Sequence, residues 1–204
     1  MKAILKGVVR CICSLCVLPL VAQMKLLMLL TRRKQPFQTG SEVLSLIPGL
    51  LGIYLRREYF GFMLKNSSND CCIEFGTCFS NPNAAIGKRA YIGQRCNIGY
   101  ALIGDDVLIG SNIDILSGRR QHATDRSDVS IMDQGGEFTA VSVGNGSWIG
   151  NRSVIMADIG ENCVIGAGSV VVHPIESNCV AVGNPARVVK QRQASAAVDK
   201  EGKL

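Results

Sequence analysis

A chain of 204 residues is long enough for one domain with a full core plus a small appendage. Its formal charge of +6 is uneven: Lys2, Lys6, Arg10, Lys25, Arg32, Arg33, Lys34, Arg56 and Arg57 load an apolar first third, which suits an anionic membrane surface. Sparse aromatics and the lack of a nucleic-acid motif exclude nucleic acid as the partner, and nine cysteines in no paired framework argue for a reducing compartment rather than a disulfide scaffold.

Residues 1–34 are basic, then mostly apolar, then basic again. The run from Cys11 to Leu30 holds Pro19, Gln23 and Lys25, which spoils a clean spanning helix of about 20 apolar residues. The favoured expectation is a helix lying in the membrane interface or re-entering it shallowly. A single span and a helix packed on its own β-domain or on a neighbouring subunit are the other two. No small-x-small cleavage site follows, so a signal peptide fits less well. Cys11, Cys13 and Cys16 lie close together without a histidine nearby and read as apolar packing, so no metal is expected.

Residues 35–65 form a second unit that Pro48-Gly49 breaks in two. Leu51, Tyr54, Leu55, Tyr59 and Phe62 recur at roughly helical spacing, with Arg56, Arg57 and Glu58 between them. This predicts an amphipathic helix that rests on a membrane or caps the open end of a β-structure. Residues 1–65 are therefore expected to be a membrane-associating helical segment.

From about residue 66 to 192 the period changes to six. The beat is Ile73, Phe79, Ile86, Ile92, Ile98, Ile103, Ile109 and Ile115, then Val143, Ile149, Ile155, Ile159, Ile165 and Val171, with a last beat expected at Val182. Two residues before most beats sits a smaller one, such as Ala84, Ala90, Cys96, Ser147, Ser153, Cys163 or Ser169. Alternation puts the two on one face of a strand, so each hexapeptide buries a large and a small side chain. Neither a helix nor a flat strand has this period; a parallel β-helix does. About fourteen beats, three to a coil, predict four to five coils. The beat stops between Ile115 and Val143, where a polar, glycine-bearing segment is expected to form a loop thrown out from a corner. After Val182, GNPAR and VV are expected to lead away, and residues 193–204 to be a flexible tail.

The segments Trp148-Ile149-Gly150, Ile165-Gly166-Ala167-Gly168-Ser169-Val170-Val171 and Gly183-Asn184-Pro185-Ala186 resemble the C-terminal signature of the hexapeptide-repeat acyltransferases. The resemblance covers about residues 70–192. It is strongest to bacterial sugar O-acetyltransferases of exopolysaccharide, colanic-acid-type and lipopolysaccharide synthesis, and SLIPGLLGIYLRREYF and LSGRRQHATD look like a membrane-linked subgroup. It implies a left-handed parallel β-helix, a homotrimer with active sites between subunits, and acetyl-CoA as donor. The acceptor is then a sugar or lipid-linked glycan, and the location the cytoplasmic face of the bacterial inner membrane, peripheral or monotopic. One departure stands out: Val154 to Ile159 is two residues shorter than the family's full step.

Acetyl transfer to a hydroxyl needs a base, and the family keeps its catalytic histidine in such a loop; this implicates His122. Asp125 or Asp128 could orient its ring. For the donor, Trp148 is expected to wall a groove, Gly166, Ala167 and Gly168 to floor it, and Arg187 and Lys190, with Arg192, to meet the phosphates. Arg119 and Arg120 could meet an anionic acceptor, and His173 reads as a polar corner residue. A γ-type carbonic anhydrase on the same repeat needs three zinc-binding histidines; the chain has two. A non-catalytic scaffold and an acyltransferase with a non-sugar acceptor are the remaining alternatives.

Overall fold

In the computed structural model of the chain, residues 2–193 are described; the expected flexible tail falls outside them apart from Gln193. Three helices, α1 (Lys2–Thr31), α2 (Gln35–Ser45) and α3 (Gly49–Met63), precede a parallel β-helix whose strands have two or three residues, apart from the five-residue Cys179–Gly183 at its end. Every second side chain of each strand points inward, so the beat residues stack as three ladders. Face A carries Ser67, Ile86, Ile103, Val143, Ile159 and Ile175. Face B carries Ile73, Ile92, Ile109, Ile149, Ile165 and Ala181. Face C carries Phe79, Ile98, Ile115, Ile155 and Val171.

Two faces thus have six rungs and the third has five, about six turns rather than the four to five expected. The rungs at Ser67 and Ile175 are not revealed by an aliphatic beat of six. Ser67 lacks an aliphatic side chain, and Ile175 follows Val171 by four residues. The last rung is also Ala181, not Val182: Ala181 is fully buried whereas Val182 is 40% exposed. Residues Ala186–Gln191 do not lead away but fold back antiparallel onto Cys179–Gly183 and close the edge of face B.

Small inward residues fit where the faces converge: Ala84, Ala90, Cys96, Ala101, Ser147, Ser153, Cys163 and Ser169 are buried. The hydroxyls among them pin neighbouring segments together. Ser147 Oγ donates to Gly160 O (2.8 Å) and accepts from Cys163 N (2.9 Å); Ser153 Oγ donates to Gly150 O (2.8 Å). The glycine after a beat is needed less for backbone freedom than for space. A Cβ on Gly87 would lie 2.4 Å from Gly104 C, and one on Gly150 2.5 Å from Ala167 N.

The helices cap the first coil. Phe37, Tyr59 and Phe60 form an aromatic cluster, and Phe60 meets Phe79 of the first coil with centroids 4.7 Å apart. The buried face of α3 is only in part the expected one: Tyr59 is fully buried and Leu55 packs against the core. Leu51 and Phe62 are 60% and 40% exposed, whereas Arg56 is fully buried. The reason is hydrogen bonding: Arg56 Nε donates to Ile73 O (2.9 Å) and Nη1 to Leu44 O (3.0 Å) and Ile47 O (2.7 Å). One guanidinium thereby satisfies carbonyls at the end of α2, in the turn to α3 and in the first coil. Replacing Arg56 with Leu removes all three of these hydrogen bonds from a buried site and is expected to cost about 3 kcal/mol or more, read as a lower urea midpoint with early hydrogen exchange in α2; an unchanged midpoint contradicts it.

Candidate functional site

All variation in the repeat falls at one corner. Steps from face A to B and from B to C are always six residues. From C to A they are seven (Phe79 to Ile86), five (Ile98 to Ile103), twenty-eight (Ile115 to Val143), four (Ile155 to Ile159) and four (Val171 to Ile175). The long loop expected from the sequence leaves from this corner, and the short step at Ile155 is repeated in the coil above it.

The loop is ordered by its own backbone. Thr139 N donates to Ser117 O (3.0 Å), Glu137 N to Arg120 O (2.8 Å) and Ala123 N to Gly135 O (3.0 Å), so the limbs 117–123 and 135–139 run paired. Gly136 is required there, because a Cβ would fall 1.9 Å from Gln121 O. At the root, the buried Ser117 hydroxyl accepts from Tyr100 N (2.8 Å). His122 is solvent-exposed on the outgoing limb, between two residues bonded to the returning one. Such a ring has a fixed base and a free face.

Neither aspartate is hydrogen-bonded to His122. Arg126 grips Asp128 through Nε (3.1 Å) and Nη2 (2.5 Å), and this hydrogen bonding holds the carboxyl below its usual range. Asp125 lies 4.0 Å from Arg120. The loop leaves Ile131 and Met132 near its tip and Phe138 on the returning limb at 54%, 90% and 59% exposure.

Three clefts meet at the loop. One of about 390 Å³ is lined by Arg119, Arg120, His122, Asp125 and Glu137. One of about 510 Å³ lies between the loop root and the two shortened corners, lined by Arg119, Arg120, Glu137, Met156, Asp158 and Pro174. One of about 260 Å³ runs down face C from α2 to Gln121. Glu137, Met156, Asp158 and Pro174 were not singled out from the sequence; the four-residue step was the signal for the recess they line. His173 is exposed between Val172 and Pro174, as a polar corner residue is.

The residues expected to hold a donor lie elsewhere. Trp148 stands on the outer side of face B, 49% exposed, paired with Leu108 and Val164. It belongs to an outward column that is apolar throughout: Cys72, Tyr91, Leu108, Trp148, Val164 and Val180. Gly166, Ala167 and Gly168 turn the corner from face B to C, and Gly168 (φ +71°) has open space where a Cβ would stand. Arg187 and Lys190 lie on the folded-back strand, paired with Val182 and Val180, and Lys190 lines a further cleft of about 740 Å³ with Val164 and Arg192. These residues share face B and its edges. The corner that bears His122 is the edge of the prism opposite face B. One chain therefore does not bring the two sets together.

Among the described residues no group of three or more His, Cys, Asp or Glu side chains could hold a metal ion. All nine cysteines are free, with Cys13 buried and Cys11 and Cys16 exposed on α1.

Comparison with known proteins agrees with the fold. Residues 140–173 match the family described as the hexapeptide repeat of succinyl-transferase. A probable acetyltransferase of Mycobacterium tuberculosis is 38% identical over 54% of this chain; the match spans 45% of that relative, so the chain covers about half its length. Among solved structures, galactoside acetyltransferase in complex with coenzyme A superposes over 78% of this chain and 81% of its own, with 25% identity and a TM-score of 0.68. A maltose O-acetyltransferase from Clostridium difficile 630 does so over 81% and 89%, with 24% identity and a TM-score of 0.63. The chain shares the parallel β-helix fold of these two sugar acetyltransferases, and its residues 140–173 carry the hexapeptide repeat.

Proposed function

We propose that the chain is an acyltransferase that moves an acetyl group from acetyl-CoA to a hydroxyl of a sugar in surface or exopolysaccharide synthesis. The observation that carries the reading is His122 on a loop braced on both sides, beside clefts at the one variable corner of a sugar-acetyltransferase fold. In this reading His122 takes the acceptor's hydroxyl proton as the oxygen attacks the thioester carbonyl. The tetrahedral intermediate then collapses, the C–S bond breaks, and the proton goes to the leaving thiolate. The long arm of CoA lies along face B and the Gly166–Gly168 corner, with its phosphates near Arg187 and Lys190.

Because those groups lie opposite the loop, the site is completed by a second copy. The apolar column on face B and the loop's exposed Ile131, Met132 and Phe138 are surfaces that such a copy would cover, in a closed ring of three chains. Replacing His122 with Ala is expected to lower acceptor-dependent thiol release from acetyl-CoA by about 10²–10⁴-fold with the fold intact. Undiminished release would remove His122 as base.

The reading puts the chain on the cytoplasmic face of the bacterial inner membrane, held by residues 1–65. One stripe of α1 (Cys13, Val17, Val21, Met24) is buried against the rest of the chain. Glu58 of α3 ties the helix down through Ser14 Oγ (2.8 Å) and Arg10 Nε (3.2 Å). The other side is exposed and apolar, with Val8, Ile12, Leu15, Leu18, Leu26, Leu29 and Leu30 above the basic run Arg32, Arg33 and Lys34. A helix fastened along one side and apolar along the other suits a bilayer interface better than a free span, although Lys6–Thr31 is long and apolar enough to cross. Changing Leu15, Leu26 and Leu29 to Gln together is expected to release the protein from sedimenting vesicles that contain anionic lipid. Retention would mean that this face is not the anchor.

A further inference from the structure

The hairpin of α1 and α2 holds a cleft that the proposed reaction does not use. It has a volume of about 420 Å³ and is lined by Met24, Leu27 and Thr31 of α1, by Arg33 in the connection, and by Pro36 and Thr39 of α2. Met24, Leu27 and Thr31 are three and four residues apart and share one side of α1. The back of the cleft is closed tightly, because three helices meet at Gly40: a Cβ there would fall 2.2 Å from Tyr59 Oη and 3.1 Å from Met24 Cγ. Short Thr31 and Thr39 leave the front open. Their hydroxyls donate to their own helices, at Leu27 O (2.7 Å) and Gln35 O (3.2 Å), so neither seeks a partner in the cleft. A long cation stands at the mouth. Arg32 is left-handed (φ +53°) and turns the chain at the end of α1, and Arg33 N donates to Thr31 Oγ1 (3.3 Å). Among the described residues Arg33 has no carboxylate partner, and Arg32 and Lys34 flank it.

We propose that this cleft binds one anionic phospholipid, with its phosphate on Arg33 and one acyl chain between α1 and α2. The assignment rests on the reading of residues 1–65 as the part that meets the membrane, and adds to it a site for a single lipid. Continuity points to an acyl chain: the wall at Leu27 runs on into the exposed apolar side of α1 at Leu26 and Leu30. Charge points to the headgroup. The apolar run stops at Leu30 and the basic run starts at Arg32, the same order as acyl chain and phosphate in a lipid. A guanidinium grips phosphate oxygens in pairs, and the neighbouring Arg32 and Lys34 repel the cationic group of a zwitterionic headgroup. A helix from a second copy would cover the apolar wall but leave Arg33 without a counter-ion. The volume lies in the range of ligand pockets, about 300–1,000 Å³. Glu58 fastens α1 only near its start, at Arg10 and Ser14. A lipid in the cleft fastens the other end of the helix to α2.

The test uses the full chain in a non-ionic detergent, with native mass spectrometry counting retained dioleoyl phosphatidylglycerol or dioleoyl phosphatidylcholine. Wild type is expected to retain one phosphatidylglycerol per chain, saturably, and to hold phosphatidylcholine about tenfold more weakly. Thr39→Trp fills the cleft without changing a charge; Arg33→Gln removes the cation without filling the cleft. Each is expected to weaken phosphatidylglycerol retention about tenfold or more, which for Arg33 is the scale of a lost charge-assisted hydrogen bond. Thr39→Trp should still sediment with phosphatidylglycerol vesicles within about twofold of wild type, since the outer side of α1 is intact. Equal retention of the two lipids, or undiminished retention by Thr39→Trp, overturns the assignment. So does displacement of the lipid by an equal concentration of glycerol phosphate, because the headgroup alone then suffices. A changed oligomeric mass of Thr39→Trp with the lipid still held overturns it too, and makes the cleft an interface between copies. If retention depends on Thr39 and Arg33 but the chain does not sediment with vesicles, the lipid site stands and the membrane reading fails.

Discussion

The structure depends on the stacking of one coil directly on the next. Adjacent coils are a strand spacing apart, about 4.8 Å, and the inward residues form unbroken aliphatic ladders. The four inner rungs of face A (Ile86, Ile103, Val143, Ile159) and of face B (Ile92, Ile109, Ile149, Ile165) are each followed by glycine. At most of these glycines a Cβ would fall 2.4–2.6 Å from an atom of the adjacent coil. Two corners of the triangle are thus closed tightly, and an extra residue there would shift every rung above it. The corner from C to A has Ser80, Gly99, Leu116, Met156 and Val172 after its beats, and it alone varies in length. The long loop, the two shortened corners and the largest cleft at the loop all belong to it. Function collects where stacking leaves the chain free.

That division separates the parts of the proposed reaction. The loop that carries His122 is on the edge opposite face B, while Trp148, Arg187 and Lys190 are on face B itself. A reaction that needs both must use two copies. The apolar column on face B and the bare loop tip then stop being anomalies. The helical cap joins the same scheme from the other end: Arg56 fixes α2 against the first coil, and α2 in turn walls the groove that leads to Gln121.

Much of this was legible in the residues because a period of six is a strict geometric code. The beat from Ile73 to Val171, its small inward partners and the excursion loop follow from side-chain alternation plus lack of space, and they are where the sequence puts them; the last beat is displaced from Val182 to Ala181. What escaped followed other rules. Ser67 is a rung without an aliphatic side chain, and Ile175, though buried and aliphatic, follows a trimmed corner that breaks the period. Arg56 looked like the polar side of an amphipathic helix. It is inside because three carbonyls need a donor, and no hydrophobic periodicity reports that. The folded-back strand Ala186–Gln191 has an exposed side rich in Val, Lys and Arg, so nothing in its composition distinguishes an edge strand from a tail. For the site, a histidine in a loop was visible, but its distance from the donor residues was not. That depends on which of three corners the loop leaves, a fact of the closed coil and not of any local run.

The most direct test mixes two inactive chains. One carries His122→Ala; the other carries Arg187→Glu with Lys190→Glu and keeps its histidine. The account predicts that each alone is nearly inactive and that unfolding and refolding them together at equal amounts restores about a quarter of wild-type thiol release, the fraction of sites in a closed head-to-tail ring that draw an intact loop and an intact face B from different chains. Activity of the mixture no greater than the sum of its parts would contradict it and return the site to a single chain.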